Sequence, residues 1–282
     1  MRIIDSQTKH LIKLALSEDI GKRDLTSEAV VENKLSGEAI IVAKQEGILA
    51  GLPVARTVFQ MVNPSIVFNM LKQDGERIRK GEKVALIQGK VKSILSAERT
   101  ALNFLQRLCG VATMTAKYVE KIKGTKARIL DTRKTTPGLR ILEKYAVKMG
   151  GGENHRMGLF DMILIKENHI RATGGISIAT KKARSKYPRQ KIEVEVRNLS
   201  ELKEAIESKP DWIMLDNMKI EQMKEAVSMI RFTSQYIKTE ASGGVNLRNV
   251  RKIALTGVDF ISVGELTHSA PALDLSLILI EP

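Results

Sequence analysis

From Ala127 to Val263 the chain repeats one pattern six times: a short apolar run, a polar or glycine-rich turn, then an amphipathic stretch leading to the next run. The runs begin near Ala127 (Arg128-Ile129-Leu130), Met162 (Ile163-Leu164-Ile165), Lys191 (Ile192 to Val196), Trp212 (Ile213-Met214-Leu215), Tyr236 (Ile237 to Thr239) and Phe260 (Ile261-Ser262-Val263). Apolar strands about 20 to 35 residues apart, with one helix in each interval, imply parallel pairing through right-handed crossovers. The helices carry readable ends. Asn198 stands at capping-box spacing before Glu201, and Ile220, Met223, Val227 and Ile230 share a face. Asn246 precedes a helix with Val250, Ile253 and Ala254 inward, closed by Gly257. Six such units in this length favour an incomplete α/β barrel, with an open doubly wound sheet as the alternative.

The preceding half has another texture. Met1 to Ile20 reads as an amphipathic helix rather than a signal peptide, because Asp5, Glu18 and Asp19 interrupt Leu11, Ile12, Leu14 and Leu16. From Glu38 to Ile94 short apolar runs alternate with turns, as expected of a small β-rich domain with one helix near Pro53 to Val62. Asp74-Gly75 and Lys80-Gly81 are turn signals. The segment between them is similar to a carrier-domain hairpin but has no modifiable lysine at a tip, so it reads as structural. Ser93 to Lys123 is a long helical segment with Leu102, Leu105 and Leu108 on one face, and Gly110 is expected to break it.

Composition removes several classes. Cys109 is the only cysteine, which excludes an intrachain disulfide and a thiolate zinc cluster. No apolar run approaches the roughly 18 residues of a membrane span, and a reducing cytosol fits. Lys and Arg exceed Asp and Glu by 14, the balance expected of a nucleic-acid binder or of an enzyme for polyanionic substrates. Aromatic residues make up only 4%, too few for an obvious base-stacking platform. Runs such as Lys181-Lys182-Ala183-Arg184-Ser185-Lys186 read as solvated helix faces.

The polar residues fall where a barrel would use them. Each apolar run ends in a charged or glycine-rich element: Asp131-Thr132-Arg133-Lys134-Thr135, Lys166-Glu167-Asn168-His169, Glu195, Asp216-Asn217, Ser242-Gly243-Gly244 and Gly264-Glu265. Strand C-terminal ends converge on one mouth in such a fold. Arg133, Lys134, His155, Arg156 and Lys166 form a cationic half suited to carboxylates and phosphates. Glu195 and Asp216 form an acidic half able to hold magnesium, bind ribose hydroxyls or stabilise a developing positive carbon. Ser242-Gly243-Gly244 and Gly264 follow the last two strands, where barrels often bind phosphate through backbone N–H groups. The spacing of His10, His155, His169 and His268 gives no HxxxH or HxH, so a histidine-ligated metal centre is not expected. A P-loop and a dinucleotide GxGxxG are absent.

Taken in order, Asp131-Thr132-Arg133-Lys134-Thr135-Thr136-Pro137-Gly138-Leu139-Arg140, Gly150-Gly151-Gly152-Glu153-Asn154-His155-Arg156-Met157-Gly158-Leu159, Lys166-Glu167-Asn168-His169, Glu193-Val194-Glu195-Val196, Leu215-Asp216-Asn217, Ser242-Gly243-Gly244 and Gly264-Glu265-Leu266-Thr267-His268-Ser269 resemble the motifs of the quinolinate phosphoribosyltransferase family. The resemblance runs through essentially the whole chain, including Glu18-Asp19-Ile20-Gly21 and Asp24-Leu25-Thr26. Arg23 departs from it, where the family more often has glycine.

That resemblance implies a small N-terminal α/β sandwich domain (1–110, with 269–282 returning to it) and an incomplete α/β, TIM-like barrel over 111–268. It implies phosphoribosyl transfer from phosphoribosyl pyrophosphate to quinolinate with decarboxylation, in the cytoplasm, using Mg2+ and no organic cofactor. It further implies a homodimer, or a hexamer built of dimers, with shared active sites. By position, Arg99, Arg133, His155, Arg156 and Lys166 would surround the pyridine dicarboxylate, with Lys134 and Thr135 nearby. Glu195 and Asp216 would face the ribose and its magnesium, Ser242, Gly243 and Gly264 would hold the 5-phosphate, and Gly244 and Glu265 are further expected substrate-binding residues. Lys134, Glu195 and Asp216 are the expected catalytic residues. Rival expectations are a molybdate-transport-associated paralogue with another substrate, a nicotinate phosphoribosyltransferase, and a basic RNA-binding protein. No specific nucleic acid and no membrane partner is expected.

Overall fold

The computed structural model describes residues 3–280 and divides into two compact units. One takes in the chain up to Ala116, Thr135–Gly151 and the segment from Ser269; the other comprises Lys117–Lys134 and Gly152–His268.

In the first unit the strands are β1 (Ser36–Ala43), β2 (Gly47–Ile48), β3 (Val67–Met70), β4 (Arg77–Ile78), β5 (Lys83–Lys90) and, from the far end of the chain, β12 (Leu275–Ile280). A four-stranded antiparallel sheet has the order β12-β1-β5-β3, and β2 pairs with β4. Packed with them are the helices Ser6–Ile20, Leu25–Val30 and Leu52–Val62. The core contains Ile12, Ile41, Leu49, Leu52, Phe59, Ile87, Ile94, Leu102 and Leu105, and the Phe59 and Phe68 rings are 5.7 Å apart. Local chemistry sets the helix starts. Asp5 accepts from Thr8 N–H and Asp24 from Ser27 N–H. The Asp74 carboxylate accepts from the backbone N–H groups of Gly51 and Leu52, the donors a helix start leaves without a partner, and from the Tyr145 hydroxyl. The turn-rich segment near Asp74 is thus a capping device.

The long helix runs unbroken from Val91 to Lys121, so the expected break at Gly110 does not occur. Glycine is there for space. A Cβ at Gly110 would fall well inside van der Waals contact with the Pro271 carbonyl oxygen. Close approach of a neighbouring segment, rather than conformational freedom, explains the residue.

In the second unit β6 (Arg128–Leu130), β7 (Ile163–Ile165), β8 (Ile192–Val196), β9 (Trp212–Asp216), β10 (Lys238–Ser242) and β11 (Phe260–Ser262) form one sheet of order β6-β11-β10-β9-β8-β7. All its pairings are parallel. The strands follow one another around the sheet in chain order, and the last returns to pair with the first. That cyclic order is the signature of a barrel; a doubly wound sheet would reverse at a switch point. The barrel is incomplete, because β6 and β7 do not pair. At that seam Glu153 bridges Leu130 in parallel, with Asp131 N–H donating to the Glu153 carbonyl and Glu153 N–H to that of Ile129. The strand expected over Ile237 to Thr239 instead occupies Lys238–Ser242, and Thr239, Glu240 and Ala241 of this polar run are buried in the sheet. The helix expected after Asn246 begins at Val250, behind an intervening turn in which Asn249 donates to the Asn246 carbonyl. Asn198 caps its helix as its spacing predicts, accepting from Glu201 N–H.

Candidate active site

Because the six strands are parallel, their C-terminal ends lie along one edge, and the polar segments that follow them gather there. Register decides which side chains face the lumen. Glu195 is opposite Met214 and Ser242 opposite Asp216, so Glu195, Asp216 and Ser242 project from the same face. Lys166 caps the helix Glu167–Thr173, and its ammonium meets Glu195 Oε2 at 2.6 Å. Glu195 is 9% exposed, and the cation offsets the cost of burying it. Asp216 is half-buried and accepts from Asn217 Nδ2 at 2.8 Å.

Next to it the chain turns through Asn217 (φ 53), whose side chain lies against Gly243. Gly243 itself has φ 93, and a Cβ there would enter the Asn217 amide. Two constraints, one steric and one conformational, therefore require glycine after β10. Gly264 is similar in kind: a Cβ would crowd the Lys134 side chain and the His268 ring at 3.1 Å each. Lys134 is exposed, and its carbonyl accepts from Thr267 Oγ1 at 2.7 Å. Gly244 is exposed, and Glu265 accepts a hydrogen bond from the Tyr118 hydroxyl.

The seam segment carries the pair His155-Arg156. Asp131, fully buried, accepts from His155 N–H at 2.9 Å and from Asn154 Nδ2 at 2.5 Å, which ties this segment to the end of β6. The His155 side chain is 7% exposed and points into the lumen, where Nε2 lies 2.9 Å from Glu193 Oε2 and 3.3 Å from Glu240 Oε2. Burial disfavours a charged ring, but the two carboxylates outweigh it and raise the proton affinity of the imidazole. Glu193 is itself pushed up to about 8, first by burial and then by the charge of Glu240. Below lie Trp212, edge-on to His155 at 6.2 Å, and Phe260, stacked on Trp212 at 4.4 Å.

Arg156 donates from Nη1 to the Met162 carbonyl at 3.1 Å. Burial and the nearby Arg133 both lower its pKa. Arg133 is exposed after β6. Two of the expected site residues lie in the other unit: Arg99, exposed on the long helix, and half-buried Thr135, which accepts from Arg140 Nε at 3.0 Å.

Thus the second unit brings together Arg133, Lys134, His155, Arg156, Lys166, Glu195, Asp216, Ser242–Gly244, Gly264 and Glu265. Four further residues shape this edge without having been assigned a role from the sequence: Asp131, Glu193, Glu240 and His268. Asp131, Glu193 and His268 stand inside the quoted motifs. Glu193 and Glu240 give a sequence signal only once a closed lumen is known to bury both faces of their strands.

Comparison with known proteins agrees along the whole length. Residues 24–109 match the model of the quinolinate phosphoribosyl transferase N-terminal domain and 111–278 that of its C-terminal domain. A probable nicotinate-nucleotide pyrophosphorylase (carboxylating) of Synechocystis is 46% identical over 264 residues, covering 93% of this chain and 89% of its own. A Bacillus subtilis protein of the same description is 45% identical over 272 residues, covering 96% and 93%. The solved nicotinate-nucleotide pyrophosphorylase of Francisella tularensis superposes with a TM-score of 0.93 at 43% identity, over 97% of this chain and 96% of that one. With both domain models matched in order and relatives of this identity spanning nearly the full length, the chain belongs to the quinolinate phosphoribosyltransferase family.

Proposed function

We propose that this protein transfers the phosphoribosyl group of phosphoribosyl pyrophosphate to quinolinate, yielding nicotinate mononucleotide, pyrophosphate and carbon dioxide, a step of NAD biosynthesis. The observation that carries the substrate class is the convergence of Arg133 and Arg156 on the strand-end edge of one parallel sheet, with Arg133 near enough to help burial lower the pKa of Arg156. Two guanidinium groups held close together favour a ligand with two adjacent negative charges, and guanidinium pairs with carboxylate in bidentate fashion. Adjacent carboxylates on a pyridine ring fit that demand; one carboxylate meets half of it. Lys166 adds a third cation.

In this reading the pyridine nitrogen attacks C1 of the ribosyl donor as pyrophosphate departs. The C1–O bond breaks as the C1–N bond forms, and positive charge builds on C1 and the ring oxygen. Glu195 stabilises that charge, and the arriving carboxylates draw Lys166 away from it. The ring nitrogen is then quaternary. When the neighbouring carboxylate leaves as carbon dioxide, its electron pair passes to ring C2 beside the cationic nitrogen, and C2 takes a proton. The substrate's own ring is the electron sink, so the reaction calls for no organic cofactor. Lys134, against Gly264, lies on the phosphate side with Ser242, Gly243 and Gly244. Glu195 and Asp216, carboxylates on neighbouring strands that face the same side, suit a hard cation such as magnesium. Bound there with the donor, magnesium would neutralise pyrophosphate charge.

Arg99 is assigned to the site of a second subunit, in a homodimer or a hexamer of dimers, and the cytoplasm is the expected compartment. Among the described residues no helix is long and apolar enough to cross a membrane. The test is direct: incubation with quinolinate, phosphoribosyl pyrophosphate and magnesium should give nicotinate mononucleotide and carbon dioxide in equal amounts. Nicotinate should be at least about a hundredfold poorer in kcat/KM, about 3 kcal/mol for cationic donors left unpaired. Comparable kcat/KM for the two acids would overturn the dicarboxylate reading.

A further inference from the structure

We propose that Glu193 and Glu240 are positioning residues that hold the His155 ring in one orientation and, through it, set the backbone that presents Arg156 to the substrate carboxylates. The proposal rests on the quinolinate reading for the identity of the ligand, and on geometry for the rest.

Both carboxylates are fully buried. Glu193 Oε1 and Glu240 Oε1 lack a hydrogen-bond donor, and Glu240 Oε2 has only His155 Nε2 within reach, at 3.3 Å. Leaving buried carboxylate oxygens unpaired is costly, and an apolar lumen of the same volume would favour folding more. Stability therefore does not explain these side chains. What they do explain is the state of the ring between them. The two carboxylates favour a second ring proton, but the N–H of Arg156 points at His155 Nδ1 at 2.7 Å and occupies its lone pair, so the ring keeps a single proton, on Nε2. Nε2 faces Glu193 and Glu240 at 2.9 and 3.3 Å. These three side chains are spaced closely enough to suggest a metal site. A protonated Nε2, however, is a donor and not a ligand; Glu193 accepts its one N–H, and Glu240 lies alongside.

The chain of consequence runs outward. Flipping the ring would set a carbon where Nδ1 accepts from Arg156 and another where Nε2 donates, so the carboxylates select one orientation. Trp212 closes a further side of the ring. With the ring fixed, the Arg156 amide is held on Nδ1 while Asp131 holds the amide of His155 at 2.9 Å. Two consecutive backbone amides are thus tied to buried groups, the Asp131 carboxylate and the His155 ring. The guanidinium beyond them leans on the Met162 carbonyl. Glu193 and Glu240 act on the substrate only through this relay.

The experiment compares Glu193→Leu and Glu240→Leu with Glu193→Gln, in the full-length enzyme with its magnesium and phosphoribosyl donor. Each leucine variant should raise KM for quinolinate at least tenfold while KM for phosphoribosyl pyrophosphate moves less than threefold. Glu193→Gln keeps an oxygen that accepts from Nε2–H and should restore KM to within about threefold of wild type. Equal losses in both KM values and in kcat, with no rescue by glutamine, would mean a merely structural role and overturn the proposal. Wild-type protein labelled with 15N-histidine supplies a measurement that needs no turnover, with His155 assigned by its absence in folded His155→Gln. Nδ1 of His155 should resonate as an unprotonated ring nitrogen and Nε2 as a protonated one; a protonated Nδ1 breaks the relay and overturns the proposal. If the wild type uses no quinolinate at all, the substrate assignment fails by itself, and this nitrogen signature still decides the positioning claim.

Discussion

Lys166 Nζ lies 2.6 Å from Glu195 Oε2, so the cation after β7 and the carboxylate of β8 neutralise each other across adjacent strands. The lysine side chain is 47% exposed. Glu195 is buried while the lysine is half in water, so replacing the carboxylate strands no buried charge, and the pair's net contribution to stability is on the order of 1 kcal/mol or less. Its effect should therefore appear in catalysis. Glu195→Gln is expected to lower kcat at least a hundredfold with KM for quinolinate changed less than about threefold, and to leave the unfolding midpoint nearly unchanged. Steady-state kinetics beside a urea titration checks both. Loss of quinolinate affinity at normal kcat would reverse the assignment of Glu195 to the ribosyl donor.

Gly110→Ala separates space from propensity. Within a helix that change normally stabilises by about 1 kcal/mol. Here the new methyl group would enter the Pro271 carbonyl, a backbone atom that cannot swing aside. Overpacking of this kind costs about 1 to 3 kcal/mol. The expected sign is destabilisation, read from the midpoint of chemical unfolding; a more stable protein would show that the 271 segment yields freely.

Glu143 is the other strong test of packing. Fully buried, it accepts from Arg107 at 2.7 Å and from the Thr136 amide and hydroxyl at 3.0 and 2.8 Å. Glu143→Ala strands these donors and should destabilise by about 3 to 5 kcal/mol, as expected when one partner of a buried pair is removed. A loss below about 1 kcal/mol, measured by denaturant titration, would mean that water replaces the carboxylate.

The raised pKa of Glu193 has a definite sign. The folded protein keeps a proton up to about pH 8 that the unfolded chain releases near 4.5. Its contribution to stability is thus complete below about pH 4.5 and is lost as pH rises through 8. The melting temperature should fall over that interval by a component absent in Glu193→Gln. Identical pH profiles for the two proteins would remove Glu193 as the source.

Arg99→Ala and Lys134→Ala should each be nearly inactive alone. If Arg99 serves a neighbouring subunit, mixing them with subunit exchange should recover up to about one quarter of wild-type activity, because half the pairs then hold one intact site. A mixture shown to contain mixed dimers but no activity would exclude sharing.

The alternation of apolar runs and amphipathic helices was legible because burial imposes distinct periods on strands and helices. The strand-end residues followed from parallel pairing. What escaped the sequence shares one physical origin. Ile192-Glu193-Val194-Glu195-Val196 alternates like a strand with one face in water, yet all five residues are buried. Only closure into a barrel puts Glu193 out of solvent, and nothing local announces closure. The same holds for Lys238–Ser242, whose polar composition concealed a central strand. Gly110 misleads for a related reason, since the partner that requires it lies far along the chain at Pro271.

The seam between β6 and β7 has one more implication. A wall strand in this unit is ordinarily laced to neighbours on both sides, whereas the segment bearing His155 and Arg156 is joined to β6 by an isolated bridge and the Asp131 carboxylate. Segments with sparse lacing open at lower free energy than the body around them. Amide hydrogens of 153–156 should accordingly trade with deuterated solvent sooner than those of β8 and β9, so Arg156, the arginine proposed to meet the substrate, hangs on a sparsely laced stave of the barrel.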